Sequence, residues 1–255
     1  MISTESLYKT YEGKEAVVDL TFRVEPGEIL GFLGPNGAGK STTVKILTGM
    51  IRPSQGRAVV AGYDVVEQPL EVKKRIGYVP ETAALYDGLT AAEYLELIGC
   101  LHHLDPKTAS TRQGELLELF GLGSERNQRM TEFSKGMRQK VIIAAALMHR
   151  PDVMFLDEPL DGLDANAAAI VKELLKKLAS QGRTILFCSH ILEVVERMCT
   201  RIVIINGGRQ VASGTTAEIC RDTGAASLEQ AFSYLTGVKD VGAIASELLS
   251  ALDRV

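Results

Sequence analysis

Little in this sequence suggests a metal ribbon, a nucleic-acid grip or a membrane span. Its four cysteines, Cys100, Cys188, Cys199 and Cys220, are scattered without the Cys-x-x-Cys spacing of a zinc ribbon or a dithiol redox centre. Four reduced, mostly buried thiols are expected, with Cys188 inside an apolar strand pattern. Lysine and arginine number 28 against 32 acidic residues, a formal net charge of -4, so no basic field is available to grip nucleic acid and no such partner is expected. The longest apolar run, Val141 to Met148, falls far short of the roughly 20 residues that cross a bilayer. The opening MISTESLYKT lacks the basic-then-apolar pattern of a secretory signal, which points to the cytoplasm. There is also no internal repeat, no low-complexity tract and no linker long enough to divide the chain.

What is present reads as a folded α/β protein. Hydrophobic residues make up 45% and charged residues 24% of 255, near globular averages, which excludes disordered and fibrous classes and fits one large domain or a core carrying an insert. Short runs rich in Val, Ile, Leu and Phe recur at Glu28 to Gly34, Val153 to Asp157, Thr184 to Ser189 and Arg201 to Ile205, each followed by a segment with helical spacing. Continuous apolar strands of this kind are buried on both faces, as in a parallel sheet with crossover helices. After the second run, Ile170, Val171, Leu174, Leu175 and Leu178 form an apolar helical stripe, with Asp164 as N-cap and Gly182 beyond its end.

Between Pro80 and Pro151 the strand signal disappears, and Ala91 to Leu104, Pro106 to Phe120 and Ser134 to Met148 read as helices. Ala16 to Val24 alternates loosely, suggesting a small antiparallel sheet beside the core. Helical spacing returns at Leu228, Ala231, Phe232 and Leu235. The expected organisation is an α/β domain over 1–222, with a helical insert over 82–148, and a helical tail over 223–255.

Gly34 to Ser41 spells GPNGAGKS, a full match to G-x-x-x-x-G-K-[ST], set between a strand and an expected helix, Thr42 to Met50. Gly34, Gly37 and Gly39 let the backbone approach phosphate with its N–H groups inward, and the helix N-terminus adds positive potential. The candidate nucleotide-binding stretch is Gly34, Pro35, Asn36, Gly37, Ala38, Gly39, Lys40, Ser41 and Thr42. Within it, Lys40 can reach β and γ phosphates and Ser41 can offer its hydroxyl to Mg²⁺. The run VMFLDEP ends in adjacent carboxylates, Asp157 and Glu158. Two such groups at a buried strand end repel each other and are costly to desolvate, so a cation or ligand is expected beside them. Asp157 suits the Mg²⁺ shell and Glu158 suits a general base acting on water.

Over nearly its whole length the sequence resembles the nucleotide-binding subunit of an ATP-binding cassette (ABC) transporter. Phe133 to Met137, FSKGM, stands where that family's signature lies, DGLD at Asp161 to Asp164 follows the glutamate as its D-loop does, and His190 ends TILFCSH as its switch histidine does. Tyr11 lies upstream of Lys40 at a spacing similar to that of the family's adenine-stacking aromatic, although Tyr8 competes for the role. The resemblance implies a P-loop NTPase core with parallel sheet, an N-terminal antiparallel β subdomain and an inserted helical subdomain. It further implies ATP and Mg²⁺ as cofactors, Glu158 and His190 as catalytic groups, and nucleotide contacts from Tyr11 and Asp164 and, across a dimer, from Ser134 and Gly136. His102, His103 and His149 have no such context and are expected to be solvated or at helix ends.

Two positions depart from the family pattern. Glu81 replaces a glutamine in the loop after RIGYV that touches Mg²⁺ and the membrane partner; its carboxylate can still serve as a metal ligand. In the signature, Lys135 replaces the first glycine and Met137 the glutamine, leaving Ser134 and Gly136 to offer a hydroxyl and a backbone N–H. With the tail SLEQAFSYLTG, Ser227 to Gly237, these features resemble the bacterial branch serving exporters whose permease is a separate polypeptide. The implied protein is an ATPase subunit, cytoplasmic and peripheral on the inner face of the membrane, dimerising with a second copy or a paralogue. The rival reading is a soluble ABC-type ATPase acting as a nucleotide switch outside transport.

Overall fold

The computed structural model describes residues 1–82, 85–237 and 249–250. Its centre is a six-stranded sheet built from β3 (Ile29–Leu33), β6 (Ile76–Val79), β7 (Val153–Asp157), β8 (Thr184–Cys188), β9 (Arg201–Asn206) and β10 (Arg209–Gly214), in the order β10-β9-β3-β8-β7-β6. All neighbours run parallel except the β9–β10 hairpin. Every residue of β3, β7 and β8 is buried, which explains their unbroken apolar runs: with both faces covered there is no solvent side to alternate toward.

A second, antiparallel sheet pairs β1 (Ile2–Tyr11), β2 (Lys14–Val24), β4 (Gln55–Val60) and β5 (Tyr63–Asp64) in the order β2-β1-β4-β5. The N-terminal antiparallel unit is therefore larger than the loose alternation of 16–24 suggests. Helix α1 (Lys40–Leu47) lies between the sheets, burying Val44, Ile46 and Leu47 with Phe22 and Phe32, whose rings are 5.5 Å apart. Val18 N–H donates to Gly208 O at 2.8 Å and Gly208 N–H to Ala38 O at 3.0 Å, tying the small sheet and the β9–β10 turn to the loop before α1.

A second apolar cluster lies on the other face of the large sheet. It joins α3 (Ala91–Leu101), α4 (Pro106–Leu119) and α5 (Lys135–Leu147) to α6 (Ala165–Ser180) and α7 (Leu192–Met198). The starts of these helices are written in the sequence. Thr90 and Glu93 form a reciprocal capping box, Asp105 caps α4 ahead of Pro106, and Ser134 caps α5; each such cap stabilises by about 0.5–2 kcal/mol. Helix α5 also packs on β6, so the insert shares a wall with the core.

In α6 the buried face is Ala167, Val171, Leu175 and Ala179, while Ile170 is exposed. Of the expected stripe, Val171 and Leu175 are buried and Leu174 and Leu178 pack partly buried against the core, so Ile170 at its edge is the member left to solvent. Helices α2 (Pro69–Arg75) and α8 (Thr216–Thr223) complete the described core, and α9 (Leu228–Thr236) buries Leu228 and Ala231 in the same cluster. The remainder of the expected tail, beyond 237, falls largely outside the described residues.

One expectation needs correction. The cysteines are free, but only Cys188 is fully buried, and Cys100 is exposed at the end of α3. His102 and His149 sit at helix ends as expected, the first capping α3 and the second just past α5, and there they meet. His149 stacks on His102 with ring centroids 3.6 Å apart, its Nε2 lies 2.8 Å from Ile76 O, and burial holds it at a pKa of about 4. The contact joins the end of α3 to the end of α5, a tertiary meeting that neither local sequence announces. None of the described helices is long and apolar enough to cross a membrane.

Candidate functional site

A cleft of about 900 Å³ opens where β3, β8 and β7 end, beside the small sheet. Carboxyl ends of adjacent parallel strands place loop side chains from separate segments around one space. Leading out of β3, Gly34, Pro35, Asn36, Gly37, Gly39, Lys40, Ser41 and Thr42 line it. Asp157 and Glu158 enter from β7, Ser189 and His190 from β8, Glu81 from the loop after β6, and Tyr11 from the far rim.

Each part of the glycine-rich loop is held by its own geometry. Gly39 has φ 104°, and a Cβ there would sit 2.3 Å from Ala16 O, so no side chain fits without moving β2. Ala38 faces inward instead, buried in the core cluster, with its N–H donating to Pro35 O at 3.1 Å; it does not line the cleft. Lys40 Nζ arches over the loop and donates to Gly34 O at 2.6 Å and Pro35 O at 3.1 Å. Ser41 Oγ donates to Asp157 Oδ2 at 3.4 Å. Tyr11 is 44% exposed, and Lys9 Nζ lies 5.0 Å from its ring centroid, leaving ring surface free toward solvent.

The acidic groups are electrostatically unbalanced. Asp157 is 4% exposed, and burial, then the charges of Glu81 and Glu158, push its carboxyl up to about 6 against the opposing effects of Ser41 and Lys40. A positive charge placed here would relieve all three carboxylates at once. Among the described residues no three His, Cys, Asp or Glu side chains form a metal cage. The Ser41 hydroxyl and the Asp157 carboxylate, 3.4 Å apart, are oxygen donors that would suit a hard cation such as Mg²⁺, with phosphate and water completing its shell.

Glu158 adopts φ 49°, in the left-handed region, where its N–H donates to Cys188 O at 3.0 Å. Its Oε2 accepts from Ser189 Oγ at 3.2 Å and its Oε1 lies 2.9 Å from His190 Nδ1. Ser189 was missed in the sequence, although it stands directly before His190 at the strand end. The segment 14–16 and two residues from late in the chain, Leu192 and Phe232, also reach the cleft.

Ser134, Gly136 and Asp164 do not line this cleft. Ser134 caps α5 and accepts from Met137 N–H at 3.2 Å; Asp164 caps α6, accepting from Ala167 N–H at 2.8 Å, and pairs with Lys140 at 3.6 Å. Gly136 meets a constraint unrelated to any ligand, since a Cβ there would lie 2.6 Å from Gly162 O.

Comparison with known proteins gives a consistent result. The sequence profile of the ABC transporter family matches residues 17–161. The linearmycin resistance ATP-binding protein LnrL of Bacillus subtilis is 35% identical over 100% of this chain and 81% of its own. The Nod factor export ATP-binding protein I of Rhizobium etli is 38% identical over 84% of this chain and 67% of its own. Among solved structures, an ATP-binding subunit of an ABC transporter superposes with TM-score 0.87 at 35% identity, covering 92% of this chain and 99% of that one. A dimeric ATP-binding cassette in a post-hydrolysis state with ADP and Pi superposes with TM-score 0.79 at 25% identity, covering 84% and 98%.

Proposed function

The chain belongs to the ABC transporter family, and on that premise we propose that it hydrolyses Mg²⁺-bound ATP to drive export through a separate membrane permease. One observation carries the reading: Lys40, Ser41, Asp157, Glu158, Ser189 and His190 converge from three adjacent strand ends on one cleft with a glycine-rich phosphate loop. Export is supported by relatives named for drug resistance and for Nod factor export.

In this reading Tyr11 stacks on the adenine and the loop N–H groups receive the phosphates. Lys40 exchanges its carbonyl partners for β- and γ-phosphate oxygens. Ser41 and Asp157, with Glu81 near them, would hold Mg²⁺, which when bound would offset phosphate charge. Glu158 takes a proton from the water whose oxygen attacks the γ-phosphorus as the bond to the ADP oxygen breaks. His190 and Ser189 hold that carboxylate in place, leaving the other imidazole nitrogen for the γ-phosphate. Ser134, Gly136 and Asp164 act on the nucleotide of a second chain, a copy or a paralogue. A two-fold pair brings α5's N-terminus to the partner's cleft, and the dimeric cassette among the structural neighbours supports that arrangement.

A second groove of about 690 Å³ is assigned to the permease. Met50, Leu70 and Leu101 on its rim are exposed, and its described lining carries Lys73 and Lys74 but no carboxylate. That chemistry fits a permease segment with an apolar face and an acidic side chain, and it supports the reading of a subunit peripheral on the inner face of the membrane.

The test is ATP-dependent export into inside-out vesicles carrying the permease with this chain or its Lys40→Ala variant. Transport with the native chain and none with the variant supports the reading. Equal transport by both contradicts it.

A further inference from the structure

Helix α5 grips the loop behind Glu158 at four points. Lys135 Nζ lies 2.6 Å from Asp161 Oδ2, and Lys140 Nζ lies 3.6 Å from Asp164 Oδ2. Gln139 Nε2 donates to Pro159 O at 3.0 Å in a buried contact. The fourth point is the backbone approach of Gly136 to Gly162, already close enough to exclude a Cβ. The Lys135 stem covers the same glycine: a Cβ on Gly162 would meet Lys135 Cγ at 2.9 Å. Asp161 is held back to the start of the loop, since its N–H donates to Glu158 O at 3.1 Å. A displacement of Asp161 therefore acts on the backbone of Glu158, whose left-handed conformation leaves it few alternative geometries.

We propose that Lys135, through its ion pair with Asp161, is a positioning residue for ATP hydrolysis: it ties the first turn of α5 to the loop carrying Glu158. Contacts made by α5's N-terminus with a second chain's nucleotide are then felt at this chain's own carboxylate. Glycine, the residue of the family signature at this position, supplies neither the stem over Gly162 nor the charge on Asp161. An exposed ion pair is individually weak, but here it completes a joint whose buried part is already fixed by Gln139. The inference rests on the reading of the chain as an ATPase.

The test uses the full-length protein with Lys135→Ala, Asp161→Ala, and the exchanged pair Lys135→Asp with Asp161→Lys. It measures steady-state hydrolysis and amide hydrogen exchange over 158–164. Each single variant should lower kcat roughly two- to fivefold with KM for ATP held within about twofold, and should speed exchange in the loop. The exchanged pair should recover both. Unchanged kcat and exchange in the single variants would overturn the proposal, as would an exchanged pair no better than the worse single. A large rise in KM for Lys135→Ala alone would also overturn it and assign Lys135 directly to phosphate. If the native chain fails to hydrolyse ATP, the ATPase reading falls, while the exchange data still decide whether the joint exists.

Discussion

Glu158 Oε1 lies 2.9 Å from His190 Nδ1, while Oε2 takes the Ser189 hydroxyl at 3.2 Å. The parallel register that pairs Asp157 with Cys188 makes this possible, because it brings the two strand ends level so that the next residues of each face one another. One carboxylate is thereby held at both oxygens, and its direction toward the cleft is fixed before any substrate arrives.

Removing one of these holds should cost rate and not binding. Ser189→Ala leaves His190 in place but frees Oε2, and kcat should fall roughly tenfold, since small misplacements of a reacting group are expensive. ATP affinity, measured by equilibrium titration, should change by less than about twofold. An unchanged kcat would show that His190 alone orients the carboxylate.

The glycine-rich loop makes a separate claim about strain. Gly39→Ala places a Cβ against Ala16 O in a backbone conformation that alanine avoids, and should destabilise the fold by about 1–3 kcal/mol while weakening ATP binding. Chemical denaturation checks the first part and nucleotide titration the second. Native stability in the variant would mean that β2 yields easily.

The loop motif and the two carboxylates were legible in the sequence because their chemistry is local: the spacing of glycines, lysine and hydroxyl is fixed by a single turn. Strand burial was legible for a similar reason, since double-sided cover leaves unbroken apolar runs. What escaped depends on contacts between distant segments. Ser189 gains meaning only beside Glu158, from another strand. Lys135 gains it only against Asp161, and the stacking of His149 on His102 needs α3 and α5 to meet. Strands β4 and β5 escaped because β4 gains a partner only by joining the distant β1, and the two-residue β5 only by joining β4.

That histidine stack has a pH signature. His149 is kept neutral first by burial, then by the stacked His102; Arg112 acts the same way, while the Ile76 carbonyl and Asp152 oppose. The unfolded chain binds this proton near 6.5 and the folded one only near about 4, so between those values the unfolded state holds more protons. The stabilisation is full above pH 6.5 and is lost as pH falls toward 4. Thermal unfolding across this window should show a fall in midpoint that His149→Phe, which keeps a ring on His102, reduces. An identical slope in both proteins would contradict the assignment.

The groove proposed for the permease should be separable from the nucleotide cleft. Leu101→Asp puts a charge on an exposed rim position and repels an acidic partner segment. Co-purification with the permease should be lost while ATPase activity of the isolated chain stays within about twofold of native. Retained co-purification would move the docking surface elsewhere.

The central claim is that Glu158 is the base that activates water in an ATP-hydrolysing cleft. Phosphate release with Mg²⁺ and ATP, measured for the native chain and for Glu158→Gln beside an ATP-binding titration, tests it most directly. Glutamine keeps the shape and can still meet Ser189 and His190 but cannot take the proton, so the rate should fall about 10² to 10⁴-fold. Binding should be at least as tight, because a negative charge facing the γ-phosphate is gone. A variant that retains most of the native rate while binding ATP normally would contradict the account.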